Sequence, residues 1–137
     1  MQMSPIIAVH LTAAVSALVL GPVVLWARRG RTQHPRLHRA LGYAWVTLMV
    51  MTAVSALFIR DFKLPNIGGY TPVHLLVPVV FFGLTRAFWK LAKGDIRSHR
   101  ISMQATYISA CIVAGAFTLL PSRYLGQMLW RQWLGLV

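Results

Sequence analysis

The sequence predicts an all-α integral-membrane protein: an up-down-up-down four-helix bundle with a short interfacial helix at its C-terminal end. Three observations predict it. Of 137 residues, 57% are hydrophobic and the mean hydropathy is +0.61, more apolar surface than a soluble domain of this size can bury. Four stretches, at about 5–27, 40–59, 72–92 and 101–120, approach the roughly 20 apolar residues that cross about 30 Å of hydrocarbon at 1.5 Å per residue. Short connections without a repeat or a linker make residues 1–137 one domain.

The first span follows no basic run or small-residue cleavage site and ends at Trp26-Ala27-Arg28-Arg29, so it reads as a retained helix and not a removable signal peptide. Gly21-Pro22 interrupts it, a break that neighbouring helices must satisfy in lipid. The second span follows the polar loop Arg31-Thr32-Gln33-His34-Pro35. The turn-rich run Leu64-Pro65-Asn66-Ile67-Gly68-Gly69-Tyr70 precedes the third, which Thr71-Pro72 opens with a capping hydroxyl and a proline at the first helical position. The fourth holds the single cysteine, Cys111, as a small packing residue, and there is no Cys-x-x-Cys-His for covalent haem attachment. Residues 124–137 combine Trp130, Trp133 and Arg131 with Leu and Met but are too short to span, which fits a helix lying in the interface.

Charge sets the topology. Fourteen Lys and Arg oppose two acids, Asp61 and Asp95, for a net charge of +12. Arg28, Arg29, Arg31, Arg36 and Arg39, with Arg86, Lys90, Lys93, Arg97 and Arg100, fall on one side of the bundle. Arg60, Lys63, Arg123 and Arg131 fall on the other. The excess marks the cytoplasmic side, with both termini facing the periplasm of a bacterial inner membrane. Its partners are membrane lipids with anionic headgroups, not nucleic acid. So few carboxylates argue against a hydrolase, a carboxylate-bound metal enzyme and a proton-coupled transporter.

Four of the five histidines lie near one end of a different span: His10 and His74 on the outer side, His38 and His99 on the inner. A lone histidine on an apolar helix more often packs and hydrogen-bonds than ligates, but a set of four, one per helix, is a functional pattern. In a square bundle ordered as the sequence, helices one and three face each other diagonally, as do two and four. Each diagonal couple suits axial ligation of a haem iron from both sides. The faces expected to run from the histidines are Ala14, Ala17 and Gly21 from His10, and Gly42, Trp45 and Met49 from His38. From His74 they are Pro78, Phe81 and Thr85, and from His99 Met103, Thr106 and Ala110. Arg36, Arg39, Arg97 and Arg100 flank the inner couple, suited to haem propionates. His34, in the polar loop, has no ligand role.

The run Leu37-His38-Arg39-Ala40-Leu41-Gly42-Tyr43-Ala44-Trp45-Val46, the segment Tyr70-Thr71-Pro72-Val73-His74-Leu75-Leu76, and His99-Arg100-Ile101-Ser102-Met103 with Ala114-Gly115-Ala116-Phe117-Thr118-Leu119-Leu120-Pro121 resemble the bacterial integral-membrane family catalogued as domain of unknown function 2306. That resemblance covers nearly the whole chain and implies no activity. The one-histidine-per-helix pattern resembles the di-haem transmembrane cytochromes b of the b-561 superfamily. It implies two b-type haems, the outer on His10 and His74 and the inner on His38 and His99. It further implies membrane electron transfer from quinol or ascorbate to a redox partner, the chain acting as an oxidoreductase of that type if it is an enzyme. Two alternatives stay open. One is an accessory subunit of a larger respiratory or photosynthetic complex, with one haem or none. The other is a copper or zinc site of His and Met, disfavoured because Met49 and Met103 stand on separate helices without a thiolate.

Overall fold

The computed structural model describes residues 4–28, 33–60, 62, 65–121 and 123–136; Arg29, Arg31, Asp61 and Lys63 lie outside the described residues. Helix α1 (Pro5–Trp26) starts on Ser4, whose hydroxyl accepts the Ile7 N–H at 3.4 Å. Helix α2 (Pro35–Ala56) has its proline at the first helical position and begins ahead of the apolar run at about residue 40. Helix α3 (Pro72–Ala92) opens with a 3₁₀ turn, Pro72–Leu75. Helix α4 (Ile96–Thr118) also begins ahead of its apolar run, where the Asp95 carboxylate accepts the Ser98 N–H at 3.0 Å. Its middle, Ile108–Val113, is a π-helical stretch. A last helix, α5 (Tyr124–Gln127), continues as a π turn to Trp133, and the Trp130 indole donates to the Leu119 carbonyl at 2.8 Å. The helical part thus stops short of the expected 124–137, before Gly135 at φ +62°.

Helices α1 to α4 are each long and apolar enough to cross a membrane, and the chain is a multi-pass membrane protein. Exposed Val19, Phe58, Phe82 and Ile108 form the kind of outward apolar surface that lipid tolerates and water does not. Consecutive helices are neighbours, and α4 returns to α1 through its π segment, closing the square in sequence order. The hairpins α1–α2 and α3–α4 pack along their lengths. Between them lies a core of Ala17, Val24, Trp45, Met49, Ala53, Val77, Val80, Leu84 and Ala110.

Pro22 shapes this packing. It has no N–H to give the carbonyl four residues back, that of Leu18. The Tyr107 hydroxyl of α4 donates to that carbonyl instead, at 2.9 Å. Gly21 makes the approach possible, since a Cβ there would collide with the Tyr107 ring. Trp45 adds a second tie to α1, its indole N–H donating to the Ala17 carbonyl at 3.1 Å. The broken helix is therefore mended by its neighbours, as lipid requires.

One expected face is wrong. Ala17 and Gly21, Trp45 and Met49, and Thr106 and Ala110 are all buried, but Pro78, Phe81 and Thr85 are exposed. The buried face of α3 is Val77, Val80, Leu84 and Ala87. The 3₁₀ start explains the shift: at 3.0 residues per turn, His74 stands above the residue three positions on, not four.

Candidate functional site

His38 and His99 are placed alike. Each is the fourth residue of its helix, and each reaches back to the last turns of the preceding one. The His38 Nδ1–H donates to the Val24 carbonyl at 2.8 Å, and the His99 Nδ1–H to the Ala87 carbonyl at 2.9 Å. A carbonyl can only accept, so Nδ1 carries the proton in the neutral ring and Nε2 keeps its lone pair. The Phe88 ring meets His99 edge-on, centroids 6.4 Å apart.

His10 has the same tautomer at the opposite end. Its Nδ1 lies 3.0 Å from the Thr52 carbonyl and 3.0 Å from the Ser55 hydroxyl. That hydroxyl gives its own proton to the Thr52 carbonyl at 3.1 Å, so the imidazole is the donor.

His74 is different. Its Nδ1 accepts the Thr71 N–H at 3.1 Å, and its Nε2 sits 3.1 Å from the Ala56 carbonyl and 2.9 Å from the Ile59 carbonyl. Nε2 therefore carries the proton, and both ring nitrogens are engaged. Tyr70 packs edge-on against the ring at 5.1 Å and donates its hydroxyl to the Leu57 carbonyl, while Arg60 lies 5.0 Å over the Tyr70 ring.

The four imidazoles thus bind backbone on adjacent helices. Among the described residues no three His, Cys, Asp or Glu side chains gather into a metal cluster. Arg36, Arg39, Arg97 and Arg100 are exposed beside the inner histidines. His34 is exposed too, stacked on Trp26 at 5.6 Å. Cys111 packs its thiol 3.7 Å from the Met49 sulfur.

The donor set bears on haem at two levels. Axial ligation needs an Nε2 lone pair, with Nδ1–H held by a carbonyl to fix the ring. His38, His99 and His10 meet both conditions. His74 meets neither as folded, so the outer couple does not fit a haem in this arrangement. At the depth of His38 and His99 the buried positions are Val24, Ala27, Ala87 and Ser102, whereas mid-depth is filled by Trp45, Met49, Val80 and Leu84.

Sequence reasoning missed Ser55, Thr52 and Tyr107. Only Tyr107 had a readable cause, the carbonyl left open by Pro22. Asp95 was also missed as a cap; hydrogen bonds from the Ser98 hydroxyl and N–H, with nearby Lys90 and Arg86, hold its carboxyl below the usual carboxylate value.

In comparisons with known proteins, the family model described as a predicted membrane protein, DUF2306, matches residues 7–129. No curated protein and no solved structure matches the chain. These findings reach the family alone.

Proposed function

We propose the following function for this chain, which belongs to the DUF2306 family of predicted membrane proteins: a b-type membrane cytochrome that moves electrons across or within the bilayer, with quinol as donor. His38 and His99 would hold a haem, and Arg36, Arg39, Arg97 and Arg100 would pair with its propionates. The observation that carries this reading is the shared hydrogen-bonding state of these two imidazoles, each fixed by a carbonyl through Nδ1 and each keeping an Nε2 lone pair. When bound, the haem supplies the one-electron chemistry; the chain orients the ligands and sets a low dielectric around the iron. The positive-inside rule supports a location of this pair at the cytoplasmic side of a bacterial inner membrane. A second haem, on His10 and His74, belongs to the same reading only if His74 releases the Ala56 and Ile59 carbonyls.

A competing reading is favoured by one observation: all four imidazoles tie neighbouring helices through backbone carbonyls. That suits an accessory subunit of a larger complex. The visible spectrum of detergent-purified protein, oxidised and dithionite-reduced, separates the two. A sharp reduced α-band with one haem per chain supports the inner site, two per chain adds the outer couple, and a colourless protein after haem supplementation overturns the cytochrome reading.

A further inference from the structure

The end of α3 carries a stripe outside the histidine sites. Arg86, Trp89, Lys90 and Lys93 follow one another at helical spacing on a single face, opposite the buried Val77, Val80, Leu84 and Ala87. Trp89 is 54% exposed, with the Lys90 ammonium 5.3 Å and the Lys93 ammonium 4.1 Å from its ring centre. Two like charges share one indole. Asp95 pairs with Lys90 at 3.9 Å and also interacts with Arg86, so among the described residues three cations, Arg86, Lys90 and Lys93, stand against one carboxylate.

The same face continues toward mid-membrane as Val79 and Phe82, exposed and apolar. A cationic end with an indole at headgroup depth, running on into an apolar track, matches a molecule with a phosphate at one end and a hydrocarbon chain at the other. We propose that this face of α3 is a binding site for an anionic phospholipid, its phosphate between Arg86, Lys90 and Lys93 and its acyl chain along Phe82 and Val79. A lipid, and not a soluble phosphate compound, is the occupant because the site is continuous with the apolar surface. The proposal is independent of haem and of which leaflet the stripe faces.

The test is native mass spectrometry of the full-length protein in detergent, titrated with phosphatidylglycerol or phosphatidylcholine. The expected result is preferential retention of phosphatidylglycerol, weakened roughly tenfold in the double variant Arg86→Gln/Lys93→Gln. The control Arg36→Gln/Arg39→Gln, equally basic and on the same side, keeps the preference. Thermal unfolding of each variant confirms that it is folded. Equal retention of the two lipids by the native protein overturns the site, as does an equal loss in the control. Displacement by millimolar inorganic phosphate overturns the choice of a lipid occupant.

Discussion

His74 uses its imidazole for a purpose opposite to that of His38 and His99. At the basic end His38 and His99 each donate once, through Nδ1. At the other end His74 accepts through Nδ1 and donates through Nε2. The difference traces to one position of register. His38 and His99 are fourth in ordinary α-helices that start at Pro35 and Ile96, whereas His74 is third in a 3₁₀ turn started by Pro72 and lands on the cap residue's own N–H. A histidine one residue nearer the helix start becomes a clasp and loses its capacity to ligate.

The sharpest way to break this contrast is spectroscopic. His38→Ala and His99→Ala are each expected to abolish the reduced α-band of the proposed inner haem, and His74→Ala to leave it in place. Equal loss in all three, read by difference spectra, erases the distinction. Stability should run the other way. His74→Ala strands the Thr71 N–H and two carbonyl bonds, with an expected cost of about 2 kcal/mol, against about 1 kcal/mol for His38→Ala; thermal unfolding of the apo-proteins in detergent compares them.

Mid-depth offers a finer test. Tyr107→Phe should cost about 1 kcal/mol by leaving the Leu18 carbonyl open, and less in a Pro22→Ala background where the backbone N–H returns. A double-mutant cycle without coupling rejects that link. The smallest effect belongs to Asp95. Its carboxyl is held below the usual value by Ser98, so its capping contribution is present above the unfolded carboxylate value and fades as pH falls through the lower, folded one. Hydrogen exchange at the Ser98 amide should quicken, relative to Asp95→Asn, as the buffer is made acidic through that range.

The four spans were legible because lipid demands long apolar helices with no external hydrogen-bond partners. The starts of α2 and α4 were less so, since Arg36, Arg39, Arg97 and Arg100 hide the helix from hydropathy; Pro35 and Asp95 were the available signals. Three inward faces were readable from 3.6-residue spacing, and the fourth was lost to the 3₁₀ turn at Pro72. Which nitrogen each histidine offers was not readable at all. It depends on carbonyls such as those of Val24, Ala87 and Ile59, whose positions no side-chain pattern reveals.

The Pro22 break has a consequence for assembly. The Leu18 carbonyl sits in α1, and its partner hydroxyl arrives 89 residues later in α4. Until then that oxygen faces hydrocarbon or must draw in water. Completion of the bundle is therefore timed by the C-terminal hairpin, and a chain truncated before Tyr107 enters the bilayer with its first helix still open.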